Sequence, residues 1–177
     1  MNDLILNKIN KAISKFYSRD EYLLINNLNE RTIAHKFASY LQVEFDNYDV
    51  DCEYNKNVDE DNGAKNIYIV KNEAEELKRK IKQETEFDDI EYTVISIYPD
   101  IVIHKRGGND NNLLIIEIKK SSNNLDFSYD HKKLQCYTEN STPNSLKYKF
   151  GLFIEFETGV LKPKLPSFIW YKDGKRL

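Results

Sequence analysis

Asp100, Glu117 and Lys119 are the residues whose types and spacing best suit chemistry. They lie on two apolar runs, Tyr98 to Lys105 and Leu113 to Lys120, separated by the turn-forming stretch Gly107-Gly108-Asn109-Asp110-Asn111-Asn112. That arrangement predicts a β-hairpin. With residues 107–112 as the loop, Arg106 stands opposite Leu113, His104 opposite Ile115, Val102 opposite Glu117 and Asp100 opposite Lys119. Side chains alternate along a strand, so Asp100, Glu117 and Lys119 share one face. Ile101, Ile103, Leu114, Ile116 and Ile118 share the other, which must be core.

Opposed Cβ atoms in such a pair lie about 5 Å apart and diagonal ones about 7 Å. Two carboxylates that close can share a divalent cation, and Mg²⁺ takes one or two carboxylates with waters and phosphate. An ammonium two residues beyond Glu117 would orient an attacking water and stabilise developing negative charge. The same spacing also fits an ordinary solvated face with an Asp100–Lys119 ion pair. Glu30 adds a third carboxylate. It shares a helical face with Ile33, Phe37 and Leu41, where a carboxylate needs a partner. A metal or its waters would serve; complementing the helix dipole in the first turn is the other reading.

The elements that must position these groups follow from periodicity. Leu4, Ile5, Ile9, Ile13, Phe16 and Tyr17 predict a helix over 4–18, with Asp3 as cap. A second helix is expected over 30–45, capped by Asn29. Residues 48–54 alternate as a strand. Residues 57–91 read as a surface insertion holding a short strand at 67–70 and a charged helix at 72–83. After the hairpin come a helix over 125–138 packed through Tyr129, Leu134 and Tyr137, a strand over 148–156, a turn at Thr158-Gly159 and a strand over 167–171. The expectation is one α/β domain, a central sheet flanked by helices, with residues 1–27 as an N-terminal helical extension.

Tyr98-Pro99-Asp100, sixteen residues, then Glu117-Ile118-Lys119 resembles the signature of the PD-(D/E)xK nuclease superfamily. An upstream helix bearing Glu30 matches as well, and the likeness spans residues 28–156, as in small uncharacterised bacterial members. The resemblance implies a restriction-endonuclease-like core with a central mixed β-sheet. It implies Mg²⁺-dependent hydrolysis of phosphodiester bonds in DNA or RNA, with Mn²⁺ able to substitute. Asp100 and Glu117 would be metal ligands, Glu30 a further one directly or through water, and Lys119 would assist the water. A homodimer is compatible with cutting both strands. A catalytically weak module of this fold that binds nucleic acid or protein is the alternative. The chain departs from the QxxxY element of the exonuclease branch: Gln135 precedes Tyr137 at the wrong spacing, whereas Lys133 and Tyr137 stand one turn apart. Those two, with Lys120, are candidate phosphate contacts; a packing tyrosine beside a solvated lysine is the plainer reading.

Other candidates are weaker. Glu53 reads as a solvated strand residue, His35 as exposed, and His104 as too far along its strand from Lys119. His131 stands beside Lys132 and Lys133 in a basic patch. Ser121, Ser122 and Cys136 lack the neighbouring base that nucleophilic catalysis needs. Two lone cysteines and no membrane-length apolar run suit a cytoplasmic, reducing setting. Met1-Asn2-Asp3 lacks the basic start of a secretory signal. The net charge of -3 gives no sign of a nucleic-acid binder. Acid concentrates at 59–61 and 84–91, however, while Lys105, Arg106, Lys119, Lys120, Lys132 and Lys133 gather around the hairpin and the next helix.

Overall fold

The computed structural model describes residues 3–57, 63–77, 83–123 and 126–177. Helix α1 (Asp3–Ile25) carries Ile5, Ile9, Ile13 and Phe16 on its buried side, as the spacing predicts, but runs past residue 18 through a non-helical Asp20. Asp3 lies inside the helix rather than capping it. Helix α2 (Glu30–Glu44) begins where expected, with the Asn29 side chain accepting from the Thr32 amide. Asn29 thereby satisfies one of the four free N–H groups of the first turn.

Strands β1 (Asp49–Cys52), β5 (Ile101–His104), β6 (Leu114–Lys120), β7 (Phe150–Phe156), β8 (Ser167–Lys172) and β9 (Lys175–Arg176) form one sheet in the order β1-β5-β6-β7-β8-β9. The β6–β7 pair is parallel and the other pairs are antiparallel, so the sheet is mixed. Helices lie on both sides. The α1–α2 face is an aliphatic and aromatic core in which Ile101, Ile103, Leu114, Ile116 and Ile118 meet Ile9, Phe16, Phe37 and Leu41. The face predicted for the hairpin's apolar set is therefore the one observed. Alternate residues, Val102, Ile115, Phe153 and Tyr171, build the opposite core with Leu134 and Tyr137 of α4 (Ser128–Thr138). Leu125, the expected start of that helix, lies outside the described residues.

A second, three-stranded sheet of β2 (Asn66–Val70), β3 (Glu84–Phe87) and β4 (Ile90–Ser96) in the order β2-β4-β3 packs beside α4, with a short α3 (Lys71–Glu76). The stretch read as a surface insertion thus has its own ladder, and Ile67 and Ile69 are fully buried. The charged helix expected over 72–83 is formed from Lys71 to Glu76; residues 78–82 lie outside the described set. Among the described residues no helix is long and apolar enough to cross a membrane.

Gly151 decides how closely α4 approaches the sheet. A Cβ there would stand 3.1 Å from Leu134 Cδ2, 3.2 Å from Thr138 Cγ2 and 3.2 Å from Tyr171 Cβ. Packed interiors do not absorb an added branched side chain without shifts costing about 1–3 kcal/mol. Gly151→Val is expected to lower unfolding free energy by about that amount in urea titration, with Gly151→Ala between it and wild type; an unchanged Gly151→Val would contradict the close α4–sheet contact.

Candidate active site

The hairpin register differs from the expected one by two residues. Ile101 pairs with Ile116, Val102 with Ile115 and Ile103 with Leu114. Extending that ladder puts Asp100 across from Glu117 rather than Lys119. A shift of two preserves which face each side chain occupies, so the acidic set stays together while its pairing changes. β5 begins only at Ile101; before it, on the β1 side, the Pro99 and Asp100 carbonyls accept from the Glu53 amide, at 3.0 and 3.4 Å. The Asp100 side chain takes over the missing strand: its Oδ2 accepts from the Ile118 amide at 2.7 Å. No described group donates to its Oδ1.

Glu117 is 1% exposed, on a strand buried on both faces. Its Oε1 accepts from the Tyr137 hydroxyl at 3.0 Å, and its Oε2 from the Lys133 ammonium at 2.6 Å. Tyr137 and Lys133 are four apart on α4, so both point to the same side of that helix. Lys133 in turn contacts Asp130 Oδ1 at 2.8 Å. Lys119 lies 3.5 Å from Asp130 Oδ2 and 3.7 Å from Glu30 Oε2. Glu30 also accepts from the Asn123 amide nitrogen at 2.5 Å. Four carboxylates, Glu30, Asp100, Glu117 and Asp130, therefore surround two ammoniums.

The electrostatics follow from burial and proximity. Burial pushes the Glu117 carboxyl up to about 7; Lys133 opposes this, while Asp100 and Asp130 add to it. Burial also raises Asp100, against the Ile118 amide and the two lysines. For Lys119 burial works against the charge, but Asp130, Asp100, Glu30 and Glu117 outweigh it and hold the ammonium above its ordinary range. Lys133 is likewise raised, burial being outweighed by Glu117 and Asp130. Both lysines are cations at neutral pH.

The structure brings Asp100, Glu117, Lys119 and Glu30 into one cluster, with Glu30 joined through Lys119 and Asn123. No group of three or more His, Cys, Asp or Glu side chains that could hold a metal ion is formed among the described residues. Glu30 stands against Lys119 and Asn123, apart from Asp100 and Glu117. The pair suits a hard cation: oxygen donors only, one free carboxylate oxygen on Asp100, and two more negative charges than positive with all four acids ionised.

Several expectations are corrected. Lys133 is not a solvated lysine; its side chain is 12% exposed and pairs with Glu117. Tyr137 is completely buried and its hydroxyl donates to Glu117 Oε1, the packing tyrosine of the plainer reading. Lys120 binds Asn27 Oδ1 and the Leu28 carbonyl, tying β6 to the α1–α2 connection. The basic cluster is largely neutralised within the chain: Arg106 pairs with Asp51, and Lys132 with Glu73. His104 is buried and bonded to Asp51, and His131 meets the Tyr171 hydroxyl. Asp130 and Asn123 were not singled out from the sequence. The i, i+3 spacing of Asp130 and Lys133 on a helix after the Glu117 strand was the signal for the first; a loop asparagine such as Asn123 carries none.

No family model matches the chain, and no curated protein matches it. The solved structure of SSO0001 aligns with a TM-score of 0.37 at 13% identity, over 90% of this chain. The chain spans 64% of that protein's length.

Because the Glu117 carboxyl is raised in the folded state, the native protein binds a proton there that the unfolded chain has released. Stability from this group is full below pH 4.5 and is lost as pH rises through about 7. In EDTA, the unfolding free energy of wild type relative to Glu117→Gln is expected to fall by about 3 kcal/mol between pH 4.5 and 8. A pH-independent difference in thermal or urea unfolding would contradict a burial-raised Glu117.

Proposed function

We propose that this protein is a divalent-cation-dependent nuclease of restriction-endonuclease-like fold, hydrolysing phosphodiester bonds of DNA or RNA. The observation that carries the reading is Asp100 held at the start of β5 with its Oδ2 accepting from the Ile118 amide, the residue after Glu117, and Lys119 two residues beyond Glu117 on the same face. The mixed sheet with helices on both faces is the architecture such a core requires. The same hairpin carries the PD and ExK elements of the superfamily the sequence resembles.

Asp100 and Glu117 would hold Mg²⁺, or Mn²⁺ in its place, which when bound supplies positive charge to the phosphate and lowers the pKa of a bound water. The protein's own groups account for the rest. Lys119 stays protonated, so it cannot act as a general base; it orients water by donation and offsets charge on the phosphoryl oxygens. Asp130 and Glu30 grip Lys119 from α4 and α2, limiting where the ammonium can point. Tyr137 fixes the Glu117 carboxylate from the side of α4. Hydrolysis then breaks one P–O ester bond and forms another to the water oxygen, the leaving oxygen taking up a proton.

A second reading, a module that binds without turnover, is favoured by one observation: Tyr137 and Lys133 already fill both oxygens of Glu117. Cleavage assays separate the two. With Mg²⁺ or Mn²⁺ the wild type is expected to cut single- or double-stranded DNA or RNA. Asp100→Asn, Glu117→Gln and Lys119→Met should each lower the rate roughly 10²–10³-fold or more, with far-UV circular dichroism unchanged. Wild type inert on all these substrates with both ions, yet retaining affinity for one, would contradict catalysis and support the binding module.

A further inference from the structure

Lys133 is placed where an ordinary surface lysine would not be. Its ammonium holds Glu117 Oε2 at 2.6 Å and Asp130 Oδ1 at 2.8 Å, and stands 5.4 Å from the centre of the Tyr129 ring. The Glu117 oxygen it occupies belongs to one of the two carboxylates that the nuclease reading assigns to a cation. The other oxygen is taken by Tyr137, a neutral donor. With all four acids ionised, Glu30, Asp100, Glu117 and Asp130 bring four negative charges to this point against two positive from Lys119 and Lys133.

A carboxylate this deeply buried cannot stand alone and ionised. Lys119 does not relieve it directly, since its ammonium lies against Asp130 and Glu30. Lys133 alone among the described residues forms an ion pair with Glu117. A long flexible stem lets a lysine ammonium move several ångströms at little cost, and Asp130 offers it a resting place away from Glu117. The ammonium sits between the two carboxylates in a single position, so a small displacement that keeps Asp130 would free the Glu117 oxygen.

We propose that Lys133 is the exchangeable counter-cation of this site: its ammonium neutralises Glu117 when no divalent ion is bound and releases that carboxylate when one binds. The proposal rests on the reading that Asp100 and Glu117 take a divalent cation. Lys133 then sets the affinity of the site, because each binding event must displace a protein charge as well as water. Lys133 retreats to Asp130, and Tyr137 keeps Glu117 oriented throughout. The lysine that replaces the first residue of the QxxxY spacing is, on this view, a competitor of the ion and not a phosphate ligand.

Two measurements test this, neither of which reads activity. Calorimetric titration with Mn²⁺ is expected to show Lys133→Gln binding at least about tenfold tighter than wild type, the effect of removing one like charge a few ångströms away. Lys133→Gln binding while wild type does not would be the same result in extreme form. On unmodified wild type, acylation of lysines by an amine-reactive ester, read by fragment-resolved mass spectrometry, should rise at Lys133 when Mn²⁺ is added. Lys132, paired with Glu73, is the internal reference and should not change. Wild type that binds Mn²⁺ with Lys133→Gln equal or weaker, or with Lys133 acylation unchanged at saturation, overturns the proposal and leaves the cation site standing. Failure of both proteins to bind Mn²⁺ overturns the cation site and the proposal together. If Lys133→Gln does not fold, the acylation result on wild type decides alone.

Discussion

The arrangement turns on one carboxylate buried away from solvent. Glu117 sits on β6, a strand covered on both faces, and an ionised group there must be met by donors from the protein. Tyr137 and Lys133 meet it from α4, one turn apart. α4 can come that close because Gly151 leaves room against Leu134 and Thr138. Asp130 then steadies Lys133 and reaches Lys119, and Lys119 reaches Glu30 at the start of α2. The helices on the two sides of the sheet are thus linked electrostatically past the end of β6 by a chain of ion pairs that starts at Glu117.

Such a cluster is costly to build. Desolvating several charges is offset only by close geometry, and an apolar side chain at position 117 would fill the space without that expense. The raised Asp100 and Glu117 carboxyls show where the compensation falls short. A strongly perturbed acid pair beside protonated lysines is the kind of place where charges act on a ligand rather than on stability. By contrast the Asp51–Arg106–His104 group is well paired. Although burial works against the charged form, the hydrogen bonds from Arg106 and His104 hold Asp51 below its usual value. That group ties β1 to β5, and the cluster around Glu117 is left as the strained one.

Much of this was legible in the sequence, and what was missed has physical reasons. Alternation on the hairpin assigned both faces correctly, because period two is fixed by the pleat. It could not see a shift of two residues, which leaves every face unchanged. The shift accompanies a longer, asymmetric loop in which Asn112 bonds Asn109 and the Leu146 carbonyl. The α2 start at Asn29 was readable because a cap is a local device. Strands β3 and β4 were missed: Glu84–Phe87 is charged and mostly exposed, and in Ile90–Ser96 only Thr93 is fully buried, so apolar alternation is faint. The roles of Asp130 and Lys133 depend on how α4 docks, a tertiary fact that spacing on one helix suggests but cannot fix.

The central claim is that Asp100 and Glu117 act together on a divalent cation within a site balanced by Lys133. A crystal structure of the wild-type protein soaked in Mn²⁺, with anomalous scattering to place the ion, tests it most directly. The account predicts one Mn²⁺ bound by oxygens of both Asp100 and Glu117, with the Lys133 ammonium withdrawn to Asp130. A saturated crystal with no ion between the two carboxylates, or with Lys133 still on Glu117 beside a bound ion, would contradict it.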